Sequence, residues 1–341
     1  MTARLELTRS QVLAFRRRVS ALEERLPQGP SALHRAAWAG LQDSMPRAAL
    51  LSIHARMAGT EPGIWEDPSL VQVWGPRFSA YVVAKSDLAV FTLGRLPEEK
   101  RPLTRARDLA TRLTAVLAGT RMLHGDAARA VGAKHANELR YAAPTGTVLI
   151  RWDGARQPEL WNVPAPAVDP REARLELARR YLHVFGPATP EGFATWAGIR
   201  PASAKAAFAA LGEALTPVRT PIGEAWILSR DEPLFRAPPG PAAPARLLPS
   251  GDTWFLLQGA DRELLVPDDV HRRALWTSRV WPGALLVEGE TVGTWRRANH
   301  VLTIEPWRRL SNAQRSEVEA EAASLPLPGL DRSIDVRWLR E

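Results

Sequence analysis

One pattern comes three times along this chain and restrains its fold more than any other feature: a short helix, a tight turn, a second helix, then β-rich residues. The first copy opens with Thr8 and Gln11 at capping-box spacing, flanked by Leu7 and Val12 as a hydrophobic staple. The helix behind that cap is predicted to carry Val12, Phe15, Val19, Leu22 and Leu26 on one face. Gly29-Pro30 interrupts it. A second helix is expected over residues 31–41, and a third gathers Leu50, Leu51, Ile53, His54 and Met57. Between them lies Gln42-Asp43-Ser44-Met45-Pro46. Ser44 is read as the N-cap of the third helix and Pro46 as part of its first turn, where a missing N–H is tolerated. Residues 78–83 (FSAYVV) are β-rich and close the unit as a strand.

In the second copy, two short helices over residues 126–140 flank Gly132, and strands at 147–152 and 158–163 surround an Asp153-Gly154 turn. In the third, Thr189-Pro190-Glu191 starts a helix, Gly198-Ile199-Arg200-Pro201 turns, and residues 202–211 form the next helix. Strands at 215–219 and 224–228 follow. Helix–turn–helix plus hairpin is the winged-helix plan, and three copies in one order are harder to obtain by chance than one. The expected fold is therefore α+β, with tandem winged-helix units over residues 1–100, 101–168 and 169–236. Residues 236–249 (RAPPGPAAPARLLP) have no periodicity and read as a proline-rich linker. Over 247–341 the period becomes two. Residues 284–287, 291–296 and 301–304 form a predicted meander, and a helix capped by Ser311 and Gln314 closes this β domain.

Composition narrows the function. The net charge of +8 is the footprint of a polyanionic partner. Only Lys85, Lys100, Lys134 and Lys205 among the 45 basic residues are lysines, and arginine favours forked contacts to phosphate. The chain has no cysteine, which excludes disulfides, thiolate nucleophiles and Cys-ligated zinc and fits a reducing cytoplasm. The seven histidines lack the spacing of metal ligands, and no glycine-rich phosphate loop occurs, so neither metal nor cofactor is expected. No apolar run reaches membrane-spanning length, and the polar start lacks the apolar stretch of a signal peptide.

The stretch AWAGLQDSMPRAALLSIHARM (residues 37–57) resembles the signature region of the AlkZ/YcaQ-type winged-helix DNA glycosylases, where a Gln-apolar-Gln or Gln-apolar-Asp triplet lies between helices. Further similar stretches, in the family's order, are RYLHVFGPATPEGFATWAGI (180–199), the ADR of LLQGADRELLV (256–266) and ALLVEGETVGTW (284–295). The resemblance implies a C-shaped clamp of three winged helices with a C-terminal β-barrel-like domain. It also implies excision of bulky alkylated purines from double-stranded DNA, in repair or in self-resistance to a genotoxic natural product. The triplet here departs from the family pattern: Gln42 matches, Asp43 is acidic where an apolar residue is usual, and Ser44 is shorter than either usual partner.

For a cationic N7- or N3-alkylated purine the base leaves as a neutral molecule, so no general acid is required. A water must be held opposite the base, and oxocarbenium character at the sugar must be stabilised. Gln42, Asp43 and Ser44 contain groups for both tasks. The Gln42 and Asp43 side chains are expected to open onto a concave, basic face, with Ser44 either sharing that opening or capping the next helix; a buried Asp43 bonded to backbone amides would exclude that role. Expected DNA contacts are Arg47 and Arg56 on the neighbouring helix, Lys134, Arg140 and Lys205 in the later copies, and Arg296 and Arg297 on a strand of the last domain. Trp152 beside the second wing is a candidate intercalating wedge. Gln42 has no lysine within 40 positions, which favours a monofunctional reaction over Schiff-base chemistry. A monomer is expected, since no dimerisation helix is evident. The rival reading is a non-catalytic winged-helix transcription regulator, because the fold serves binding more often than chemistry.

Overall fold

The computed structural model describes residues 4–154, 156–329 and 332–339. It is a mixed α+β fold in which the described strands form three sheets. The Thr8 capping box is present, and Leu7 and Val12 share a buried cluster with Phe15 and Phe235. The helix it starts runs Arg9–Val19, shorter than its apolar pattern, because Ala21 turns to a left-handed φ of 52°. Leu26 is off that helix and bridges Met57 instead. The second helix is also short, Pro30–Ala36, and the chain re-emerges as a strand at Leu41–Gln42.

The first two copies share one antiparallel sheet. Its order is Leu41–Gln42, Ala80–Ala84, Leu70–Trp74, Val148–Arg151, Glu159–Asn162, Met122–Leu123. The central join is Gln72 opposite Ile150, so strand pairing crosses the boundary expected at residue 100. Two long helices outside the repeated pattern cover and brace this assembly. Lys100–Leu117 lays Ala106, Leu109, Ala110, Leu113 and Leu117 inward, and four of these five pack with Val148, Ile150 and Leu160 of the second hairpin. Pro170–Phe185, capped by Asp169, runs through the largest core with Leu177, Tyr181 and Phe185.

The third copy follows its prediction closely: helices Pro190–Ala197 and Pro201–Leu211 around left-handed Gly198, then the hairpin Leu215–Thr220 and Gly223–Leu228. The strand Leu5–Glu6 adds to it in parallel, so Leu5 and Glu6 serve the third unit's sheet.

The proline-rich linker ends sooner than expected, because Arg246–Leu248 forms a buried strand. It is the first of five, followed by Gly283–Val287, Glu290–Ala298, Val301–Pro306 and Asp335–Trp338. This sheet is open: its two outer strands do not pair with each other, so the closed barrel-like domain is not what forms. The helix Asn312–Ala323, with the expected Ser311–Gln314 capping box, carries the chain across the sheet so that the final strand joins in parallel beside Val301–Pro306. No described helix is long and apolar enough to cross a membrane.

Candidate active site

Gln42 ends the edge strand of the six-stranded sheet, paired opposite Tyr81. Asp43 continues the pairing by donating its N–H to the carbonyl of Ala80 at 2.8 Å. The chain then bends through Ser44, Met45 and Pro46, and Arg47 takes a left-handed φ of 64° before the helix Ala48–Arg56. The triplet is thus a strand end followed by a bend, where a simple interhelical turn was expected.

Asp43 does not face solvent. Its carboxylate is 4% exposed, one oxygen accepts from the Ala49 backbone N–H at 3.0 Å, and the other accepts from Gln72 Nε2 at 2.7 Å. This corrects the expected orientation. A carboxylate one residue after an in-register Gln42 points to the opposite face of the strand, where the orphan amides of the next helix are waiting for an acceptor. Asp43 therefore caps that helix, and Ser44, half-buried, does not; Pro46 precedes the helix and lies outside its first turn. Burial pushes the Asp43 carboxyl up to about 6, against the opposing effects of its two hydrogen bonds and of Arg47 and Arg151.

Gln72 makes the wider connection. Its Oε1 accepts the Trp152 N–H at 2.6 Å, while Nε2 donates to the Trp152 carbonyl at 3.2 Å as well as to Asp43. The tip of the second hairpin is thereby clamped to the triplet. Gly154, at φ +85°, lies so close to Pro46 that a Cβ there would sit 2.7 Å from the ring. Trp152 is half-buried and held by its backbone, so its place is set by Gln72.

Gln42 itself is half-buried and loosely held. Its Oε1 accepts from Arg77 at 3.4 Å and from the Tyr81 hydroxyl at 3.5 Å, both long contacts. Burial pushes Tyr81 up to about 12, so the hydroxyl stays a neutral donor. Across from it, a Cβ on Gly251 would lie 3.0 Å from Gln42 Nε2; this position has φ +79° and leaves the amide room. The Gln42 oxygen is thus held only by two long contacts, and its NH2 lies beside the Cβ-less Gly251.

Comparison with known proteins bears on what this arrangement serves. The family model described as AlkZ-like DNA glycosylase matches residues 35–326. The chain belongs to the AlkZ-like DNA glycosylase family. It is also similar to an interstrand DNA cross-link repair glycosylase of Streptomyces sahachiroi, 26% identical over 196 residues. That alignment takes in 56% of this chain and spans about half, 49%, of the relative's length. The solved structure of Streptomyces sahachiroi DNA glycosylase AlkZ has the same fold, with a TM-score of 0.77 over 98% of this chain and all of that one, at 20% identity.

The family-like stretches outside the triplet hold the fold around it. Arg180 makes a bidentate pair with Asp87 at 2.6 and 2.9 Å. Arg262 lies over Trp276 and Trp281 at 5.0 and 5.4 Å. Arg56 belongs with these and not with the DNA contacts: it is 2% exposed and forks onto Asp252 at 2.7 and 2.8 Å. No phosphate can reach a guanidinium so enclosed. His54 likewise bonds Ser324 and is held neutral, pushed down to about 3 chiefly by burial.

The other expected cations are dispersed. Arg47 and Arg151 both lie over Trp65, at 4.4 and 3.9 Å, beside the triplet. Lys134 is exposed, and Arg140 is half-buried. Lys205 pairs with Glu191 at 3.2 Å, both well exposed. Arg296 and Arg297 project from the last sheet, where Arg296 donates to the Val280 carbonyl at 3.1 Å. Sequence reasoning missed Gln72, Arg77, Tyr81 and Gly251. The lone polar residue in LVQVW was the available sign for Gln72; nothing local marks the others, which come from distant segments.

Proposed function

We propose that this chain is a monofunctional DNA glycosylase that hydrolyses the N-glycosidic bond of cationic, bulky N7- or N3-alkylated purines in duplex DNA. It acts as a monomer, with its repeated units serving as winged helices in a clamp around the duplex. The observation that carries this reading is the Gln42 amide, presented at a strand end between two long donor contacts, one of them cationic, while its neighbour Asp43 is locked behind it.

In this reading Gln42 holds the attacking water, and Ser44, next in the same bend, is a second group within reach of it. Asp43 is a positioning residue: its two hydrogen bonds fix the bend from which Gln42 projects. Arg77 and Tyr81 orient the Gln42 oxygen, which leaves the NH2 to meet the substrate. The cationic base departs neutral without a general acid. Lys85 lies four residues along the strand from Tyr81, about 13 Å away at the usual rise, which supports water over an amine as nucleophile. Arg47, Arg151, Lys134, Arg140, Lys205, Arg296 and Arg297 are the cations available to phosphate.

The test is release of free base from duplexes carrying N7-methylguanine or a bulky N7-guanine adduct. The wild-type chain is expected to release the adduct, and Gln42→Ala to lower single-turnover excision by about 10²-fold with little change in duplex affinity. Duplex binding with no free base from any adduct would return the chain to the non-catalytic reading.

A further inference from the structure

The hairpin loop between Leu70–Trp74 and Ala80–Ala84 is strained in an unusual way. Arg77 and Phe78 both have left-handed φ, 54° and 59°, a conformation that bulky L-residues adopt only when their surroundings impose it. Arg95, buried beneath the loop, donates to the carbonyls of Trp74 and Ala197 and lies 5.1 Å from the Phe78 ring, and Gly198 leaves just enough space for the Arg77 backbone. The effect is to send two successive side chains apart: Arg77 toward Gln42, Phe78 toward Tyr141.

Phe78 and Tyr141 meet edge to face at 5.3 Å on the wall of a cavity of about 390 Å³. Pro97, Pro102 and Pro144 supply rigid apolar walls, and Arg101 and Arg105 supply the only charges on the lining. Arg105 covers one face of Tyr141 at 3.9 Å and makes a long, 3.5 Å contact to Glu138. Tyr141 is 39% exposed, one of the few large hydrophobic side chains left so open. A flat, partly exposed ring backed by a guanidinium, with apolar walls, Arg101 beside it and Arg105 held by a long contact to Glu138, matches a planar base attached to a phosphate.

We infer that this cavity receives the undamaged base opposite the lesion, stacked on Tyr141 with its phosphate near Arg101 and Arg105. The inference rests on the glycosylase reading of Gln42 and deepens it. Turning the damaged nucleotide toward Gln42 leaves its partner unpaired, and an unpaired base is the cheapest one to take out of the stack. Phe78 and Arg77 then mark the two sides of one hairpin tip, one facing each strand's displaced nucleotide.

The experiment compares duplexes containing a tetrahydrofuran abasic analogue opposite 2-aminopurine with the intact duplex, by anisotropy and by 2-aminopurine fluorescence. Wild-type chain is expected to quench the 2-aminopurine opposite the gap. Tyr141→Ala should weaken binding of the abasic duplex by about tenfold, lose that quenching and leave intact-duplex affinity unchanged. Tyr141→Phe should behave as wild type, because the ring and not the hydroxyl does the stacking. Equal weakening on both duplexes, unchanged quenching in Tyr141→Ala, or quenching confined to a flanking 2-aminopurine would each overturn the assignment. None of these readings needs bond cleavage. If free-base assays fail while the quenching holds, the glycosylase reading falls and the cavity stands.

Discussion

At the scale of single residues, Asp43 carries most of the chemistry's leverage. Its folded-state value of about 6 lies above the ordinary 3.8, so the native chain holds that proton more tightly than the unfolded chain does. The ionised carboxylate therefore subtracts stability above pH 6, and this penalty fades as pH falls toward about 4. Activity runs the other way. Protonation puts a hydroxyl where an acceptor is needed and loosens the bend from which Gln42 projects, so excision should fall as pH drops through about 6. Asp43→Asn tests the same geometry. Its oxygen can still cap Ala49, but its NH2 then faces Gln72 Nε2, and Gln72 cannot flip without losing the Trp152 N–H. Excision by Asp43→Asn should drop about 10²-fold with duplex affinity unchanged or slightly better, and its remaining activity should lose the inflection near pH 6. Wild-type rates from this variant would end the positioning role.

At the scale of elements, the helix Ala48–Arg56 ties the triplet to the last sheet. Its first turn is capped by Asp43 and its last residue forks onto Asp252, which is 1% exposed and also takes the Ser52 hydroxyl at 2.6 Å. Arg56→Ala would leave that carboxylate buried without its cation, a loss of about 3–5 kcal/mol, visible as a lowered denaturation midpoint. Pairing it with Asp252→Leu should recover much of the loss, since an apolar pair carries no desolvation penalty; a double variant as unstable as the single would contradict this account. The same element shows where sequence reasoning stops. Its apolar face was legible from the spacing of Leu50, Leu51 and Ile53; its start was not, because Pro46 falls before the first turn. Its cap was misassigned to Ser44, because both residues are good acceptors and only the strand pairing of Gln42 decides which one points at the free amides.

At the scale of the molecule, the three copies are not three separable modules. The first two share a sheet through Gln72 and Ile150, and the strand Leu5–Glu6 completes the third. If the clamp reading holds, duplex binding should have a log–log salt slope steeper than about −2, each neutralised phosphate contributing roughly −0.9. Titration between moderate and high salt checks it. A shallower slope, or strong preference for one palindrome, would favour a regulator with few contacts.

What the sequence determined by itself was whatever depends on near neighbours: the Thr8 and Ser311 capping boxes, the helix–turn–helix order around Gly198, the hairpins, and the Gln42 signature. These are set by interactions three or four residues apart, and periodicity records them. The tertiary structure alone decided which side chains face the site. Asp43 turned inward because Gln72, 29 positions away, and the amide of Ala49 together satisfy it. Arg56 left the list of DNA contacts because Asp252 lies 196 positions away. The last strand joined its sheet in parallel because the helix Asn312–Ala323 carried the chain across. Gln72 and Asp252 are remote in the chain, and no local spacing encodes contacts that only packing brings within 3 Å.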